Sequence, residues 1–495
     1  MTGQERFLRS AVRLADTALV ITGLFAFAAF VYFFYAYSLT GQRHFTSPAY
    51  FIVYYAAPLG LGLGALAALK MKPANRVNLS ISAATFAVSM FVVEAVVERR
   101  TGPADVMMNV VRRAPNKNEK AAALEHMWGM KVDARLADEV ITALRREGVD
   151  AVPFVSPGNN PLVKQTDGTI KPIVKLDGND VLPLGGVSDR VTVLCNENGY
   201  WVEYRSDEHG FNNPPGIWRK ERMEIAAVGD SFTQGYCVPS DKSFVGRIRA
   251  RYPATLNLGM AGNGPLLMLA TLREYVPRFR PPIVLWFYCE DNDLVELQQE
   301  RRSPLVRNYE AKDFTQRALL NQDAVDRAIL DEIPSITAIA KDQRDRTSEV
   351  HPVNAMLTIA KLSALRRVSG LVGGVDPAQV TAGQAEAAPN LEAFRQVLAL
   401  AKGEVESWGG ALHFVYLPGY SRFANERQQN DSHDTVTAMV RSLAIPVIDV
   451  EPPFRESGMP LALFPFEQPG HYNEKGHAVV ADQVLKLLGT SIGTK

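Results

Sequence analysis

Neither sign of charge dominates this 495-residue chain: Lys plus Arg number 53, and so do Asp plus Glu. Chains that hold nucleic acid carry a basic excess, so that class of partner is excluded. Cysteine is scarce, with three in all, too few to frame a disulfide-built fold. The eight histidines show no H-E-x-x-H or paired-ligand spacing, so no metal is expected. Neither a phosphate-binding loop of the G-x-x-x-x-G-K type nor a dinucleotide glycine fingerprint occurs, so no cofactor is expected either. No internal repeat at a period of about 20–50 residues points to a solenoid.

Charge is missing altogether from two stretches near the start, Ala18 to Leu39 and Phe51 to Leu69. A third apolar run, Leu79 to Val97, is interrupted only by Glu94, one turn from its end, where it reaches the headgroups. A membrane span needs about 20 apolar residues. All three runs qualify, and a cleaved signal peptide would not be followed by two more. Three transmembrane helices are therefore expected, within a membrane domain over residues 1–100. Arg6, Arg9 and Arg13 precede the first run, and Lys70, Lys72 and Arg76 lie between the second and third. Arg43 stands alone between the first and second, and Arg99 and Arg100 after the third weaken the bias without reversing it. That pattern places the N-terminus inside and everything after residue 100 on the outer side, with Tyr32, Tyr35, Tyr37, Tyr50, Tyr54 and Tyr55 as the outer aromatic belt.

Past the membrane the pattern changes twice. Residues 101–222 read as a helical linker and accessory subdomain: amphipathic helices over 118–130 and, after a capping Asp133, over 134–148, then a Gly- and Pro-rich stretch with short strands such as VTVLC and YWVEY. From residue 223 to 495 strands and helices alternate, which argues an α/β domain with a doubly wound parallel sheet of about five strands and helices on both faces. The candidate strands are 224–228, 255–259, 283–288, 412–417 and 445–450, each nearly continuously apolar, as strands covered on both faces are.

Polar chemistry gathers just after those strands. The first runs into VGDSFTQGY, with Ser231 at the start of a helix, where unpaired N–H groups and the positive helix end stabilise nearby negative charge. A turn and helix cap explains that tripeptide equally well. After the second strand comes NLGMAGNGP (257–265), after the third YCEDNDL (288–294), and near the C-terminus PGHYNEKGH (469–477). Strand ends of a doubly wound sheet converge on one edge, so the four segments can share a cleft.

That order (Gly-Asp-Ser, Asn-x-x-x-x-Gly, Asn-Asp, a late His) resembles the SGNH/GDSL hydrolase superfamily over residues 223–490. The resemblance implies a flavodoxin-like sheet, Ser231 as nucleophile, His471 as its base, and an oxyanion hole from the Ser231 N–H, Gly262 and Asn292. It departs from the family in two places. Glu290 stands where glycine is common, and Gln468 replaces the usual carboxylate three residues before the histidine, leaving Glu467, a residue from elsewhere, or none as the orienting acid. Similar bacterial membrane-tethered members act on cell-surface polysaccharide. The resemblance thus implies a multi-pass protein of the inner membrane whose periplasmic domain is an esterase or O-acyltransferase, most naturally for acetyl groups. Its partners would be an acylated carbohydrate or other ester, the lipid bilayer and other subunits of a polysaccharide machine. Two rival readings stay open: a catalytically silent fold acting as a glycan-binding or scaffold subunit, and a lipase or lysophospholipase.

Glu290 and Arg422 are candidate substrate contacts, and the helical insertion over about 300–405 is either a lid or glycan-binding wall or a surface elaboration. His477, His209 and Asp207 read as structural. Cys237 and Cys289 follow neighbouring strands, so either a disulfide or two buried thiols fits.

Overall fold

A computed structural model of the chain describes residues 3–34, 51–100, 125, 129, 131–155, 174–176, 179–348, 377–424 and 432–492. Two compact units emerge: Met1–Val106 with Val350–Ala387, and Met107–Glu349 with Ala388–Lys495. The accessory stretch and the strand–helix region thus fall within one unit.

In the first unit, helices Gly3–Phe34 and Pro73–Arg100 contain the two segments that, among the described residues, are long and apolar enough to cross a membrane, Arg6–Tyr32 and Pro73–Val93. The middle run corrects the expectation of three such helices. It is helical, but as a π turn over Ile52–Ala56 followed by the shorter α-helix Ala57–Ala68. Pro58 has no N–H to give to the previous turn, and the ladder there widens so that Ala57 N–H reaches Ile52 O. Small residues let this helix approach the first one closely, Gly62 facing Gly23 and Ala26. Arg76 pairs with Asp16 at 2.7 Å and Ser80 Oγ donates to Ala15 O at 3.3 Å, so the start of the third helix packs against the middle of the first. The expected end of the first span (35–39), Arg43, Tyr35, Tyr37 and Tyr50, and most of the helix expected over 118–130 lie outside the described residues.

The second unit is built on five parallel strands, β1 Ile225–Val228, β2 Thr255–Asn257, β3 Ile283–Cys289, β4 Ala411–Leu417 and β5 Val447–Asp449. Their order across the sheet is β2-β1-β3-β4-β5, the doubly wound arrangement of flavodoxin-like folds. Side chains alternate strictly between two cores. Ala226, Val228, Trp286, Phe414 and Tyr416 point to one, with helix Pro265–Tyr275 and the later turns of helix Pro377–Ser407 (Phe394, Val397, Ala401) packed on it. Ile225, Ala227, Leu285, Phe287 and Val415 point to the other, under helices Phe244–Arg251 and Glu474–Ile492. Burial on both faces is the reason these strands read as unbroken apolar runs.

Strand order reverses at β1, so the loops after β1, β2 and β3 open around one crevice. Beside this body lies a small sheet of Ala151–Pro153, Val191–Cys195 and Val202–Arg205. Helix Ala137–Arg146 covers it and starts later than expected: its cap is Leu136, whose N–H donates to Glu139, while Asp133 is held by Arg135. Part of the insertion braces this sheet, since Val325 and Ile329 of helix Gln322–Ser348 pack on Val152, Val155 and Val187. Residues 349–376 of the insertion lie outside the described residues.

Close packing at the end of β1 leaves no room for a side chain at Gly229. A Cβ there would lie 2.0 Å from Thr233 Oγ1 and 3.1 Å from Phe287 Cβ, both in fully buried residues. Gly229→Ala should therefore destabilise this unit by about 1–3 kcal/mol. Thermal melting of the full chain in detergent checks it; an unchanged transition contradicts the packing.

Candidate active site

At the end of β1 the chain turns through Gly229 and Asp230 into the short helix Ser231–Gln234. Asp230 caps that helix, its carboxylate accepting the Phe232 N–H at 2.9 Å. Ser231 opens it, and among the described residues no protein acceptor takes its N–H. His471 comes from the loop before the final helix, and its Nε2 lies 2.7 Å from Ser231 Oγ. Phe232 and Tyr236 pack against the imidazole at 4.8 and 4.5 Å between ring centres and limit how it can tilt.

The carboxylate facing the other imidazole nitrogen is Glu197, not Glu467. Both Glu197 oxygens lie 3.0 Å from His471 Nδ1, and Oε2 also accepts the His471 backbone N–H at 3.0 Å. Glu467 is carried away by a local turn in which Phe466 and Glu467 both adopt left-handed φ (53° and 55°). It joins the loop instead through its carbonyl, which accepts from the Tyr420 hydroxyl at 3.0 Å. Gly470 makes the close approach workable, because a Cβ there would sit 3.1 Å from Glu197 Oε2. Burial pushes the Glu197 carboxyl up, but the hydrogen bond to His471 and its charge outweigh that and hold it below the ordinary value. Tyr236 is pushed up to about 12 by burial and by the Glu197 charge.

Glu197 sits on the turn between Val191–Cys195 and Val202–Arg205, 274 positions before its histidine. Several links fasten that turn to the main body. Cys195 forms a disulfide with Cys237, Asn198 Nδ2 donates to Cys237 O at 2.8 Å, and Tyr200 Oη donates to Glu474 at 3.2 Å. The pairing corrects the candidate Cys237–Cys289 bridge: Cys289 is a buried free thiol pointing into the sheet core.

The other two candidate donors, Gly262 and Asn292, lie on loops hydrogen-bonded to the turn that carries Ser231. Gly262 holds a left-handed conformation (φ 79°) that favours glycine, and no described acceptor takes its N–H. Its loop is pinned to the nucleophile turn by Met260 N–H to Gly229 O at 3.2 Å and Ala261 N–H to Gln234 Oε1 at 3.0 Å. Asn292 precedes helix Asp293–Glu300 and commits one amide hydrogen to Asp230 Oδ2 at 3.2 Å. Among the described residues no second acceptor takes the Asn292 amide hydrogens. Burial raises the Asp230 carboxyl, partly offset by the bond from Asn292.

Glu290 and Arg422, expected as substrate contacts, are instead occupied with each other. Arg422 makes a two-pronged ion pair to Glu290, whose Oε2 also accepts the Gly419 N–H at 3.2 Å. The two side chains are 3% and 7% exposed, leaving no free face for a substrate. Pairing also neutralises the charge that would oppose an anion at Asn292. His477 and His209 are structural. His477, fully buried and pushed down to about 3 by burial, accepts the Phe244 N–H at Nδ1. His209 stacks edge-on to Trp218. Asp207 gathers bonds from Asn213, Trp218 and two backbone N–H groups. No group of three or more metal-ligating side chains occurs among the described residues.

No protein-family model and no curated protein matches the chain. Among solved structures it is similar to one assigned as a lipolytic protein of the G-D-S-L family from Desulfitobacterium hafniense DCB-2, at 12% identity and a TM-score of 0.27, covering 53% of this chain and 98% of that one. It is also similar to LAE5, an alpha/beta hydrolase enzyme from the metagenome of Lake Arreo, Spain, at 13% identity and a TM-score of 0.29, covering 55% and 98%. Likeness at that level leaves the reading of the site to its own geometry.

The disulfide has a testable part in that geometry, since it fixes the strand end carrying Glu197 to the loop following Ser231. Replacing both cysteines (Cys195→Ser with Cys237→Ser) should slow labelling of Ser231 by a fluorophosphonate about 10- to 100-fold, the usual cost of misplacing a reacting group by about 1 Å. An unchanged labelling rate contradicts this role.

Proposed function

We propose that this protein is a membrane-anchored serine esterase or O-acyltransferase working through an acyl-enzyme. One observation carries the reading: a serine at a helix start, hydrogen-bonded to an imidazole whose far nitrogen meets a carboxylate. His471 Nε2 takes the Ser231 proton as Oγ attacks an ester carbonyl carbon. Glu197 holds the imidazole in the tautomer with Nδ1 protonated and stabilises the imidazolium that forms. Negative charge on the carbonyl oxygen is met by the N–H groups of Ser231 and Gly262 and the Asn292 amide. His471 then returns the proton to the departing alkoxide, leaving Ser231 acylated. In the second half it deprotonates water or an acceptor hydroxyl, which displaces the acyl group and regenerates Ser231.

The carboxylate of Glu197 on His471 Nδ1 supports an active site over a silent fold. For substrate, we favour an acylated cell-surface polysaccharide and an acetyl group, on a chain anchored in the inner membrane by its N-terminal apolar helices. An apolar acyl groove, which a lipase needs, finds no support in the paired Glu290 and Arg422 beside the site.

Two measurements test the reading together. A fluorophosphonate should attach to Ser231 in the intact protein, as seen by peptide mass spectrometry. Ser231→Ala should lower turnover of 4-nitrophenyl acetate at least about a thousandfold. Wild-type turnover in Ser231→Ala, or label on another residue, overturns the assignment.

A further inference from the structure

Both oxyanion donors supplied from outside the nucleophile helix hang on a single element, helix Asp293–Glu300. Asn292 precedes its first turn, and Glu300 is its last residue. From that far end the Glu300 carboxylate reaches the loop after β2. It accepts the N–H groups of Gly264 at 2.6 Å, Leu266 at 2.8 Å and Leu267 at 3.3 Å. These are the otherwise unpaired first donors of helix Pro265–Tyr275, in which Pro265 has no N–H to offer. A nearby serine or aspartate in the same chain segment would cap that helix more simply. Here the cap comes from 36 positions downstream and is 2% exposed.

A polar side chain this deeply buried is costly unless it is hydrogen-bonded, and here its three N–H donors all lie on one segment. What these bonds hold is the segment two residues beyond Gly262. The fit is tight: a Cβ on Gly264 would lie 2.7 Å from Glu296 Cβ and 2.9 Å from Glu300 Oε1. Burial, with Glu296 close by, pushes the Glu300 carboxyl up to about 8.

We propose that Glu300 is a positioning residue of the oxyanion hole, fixing the Gly262 N–H and the Asn292 amide at a set separation by clamping the loop after β2 to the helix that Asn292 begins. The inference rests on the acyl-transfer reading given above. Glu300 touches no substrate, and its effect passes through the backbone of residues 262–264.

A cap that served only stability would change melting and leave the chemistry alone. A positioning role predicts a selective loss of transition-state stabilisation. In the full-length protein, Glu300→Gln should lower kcat for 4-nitrophenyl acetate about 10- to 100-fold with KM within about twofold. The loss should be smaller for the corresponding thionoester, whose developing sulfur anion is a poorer hydrogen-bond acceptor. Gly264→Ala, which pushes the same loop off the clamp, should show the same pattern and decides the matter if Glu300→Gln does not fold. A kcat within twofold of wild type, or a loss equal for the oxo and thiono esters, overturns the positioning role while labelled wild-type Ser231 leaves the enzyme reading standing. Wild-type protein that neither labels nor turns over ester overturns both.

Discussion

The structure of this site depends on the contact between His471 Nδ1 and the carboxylate of Glu197. Without an acceptor there, the imidazole has no preferred tautomer and no counter-charge for its protonated form. With one, Nδ1 has its acceptor and Nε2 faces Ser231 Oγ at 2.7 Å. The contact joins the last loop of the parallel-sheet body to a turn that precedes that body in the chain. A segment that read as a linker and accessory subdomain is therefore part of the candidate site's geometry. Its own small sheet, the covering helix Ala137–Arg146 and the brace from Val325 and Ile329 set where Glu197 stands.

A long-range contact of this kind needs rigid support, because a flexible turn would lose more entropy than one charged hydrogen bond returns. Support comes from bonds of different kinds. The disulfide to Cys237 is covalent, Asn198 reaches the same residue's carbonyl, and Gly470 leaves space for the carboxylate. Behind them, Asp207 anchors the approach to β1 with four donors around one buried carboxylate. Burial pushes that carboxyl up to about 6. On the far side of the crevice, the Glu290–Arg422 pair carries a carboxylate near Asn292 without leaving it unpaired.

Much of this was legible in the residues before any coordinates. Periodicity located all five strands of the parallel sheet to within one or two residues, because burial on both faces leaves an apolar signature that depends on little else. The Gly-Asp-Ser turn, Gly262, Asn292 and His471 each follow a strand or precede a helix, so topology alone directed them to one edge. Glu197 was not legible. Its surroundings, Asn-Glu-Asn-Gly, read as an ordinary turn, and nothing in a turn announces a partner 274 positions away. Glu467 was the local alternative, and two left-handed residues that no spacing rule foresees turn it aside. Glu290 and Arg422 misled for a related reason: charges beside a site look available until their mutual pairing is seen. The middle apolar run shows the limit of a length count, since Pro58 changes the helix type within it.

The most direct test of the account is a comparison of Glu197→Gln with Glu467→Gln in the full-length protein, scored as kcat for ester turnover. The amide at position 197 keeps shape but removes the charge and replaces one of the two acceptor oxygens facing His471 with an N–H donor, so kcat should fall about a thousandfold or more, while Glu467→Gln stays within about twofold of wild type. Full activity in Glu197→Gln, or the large loss in Glu467→Gln instead, would contradict it.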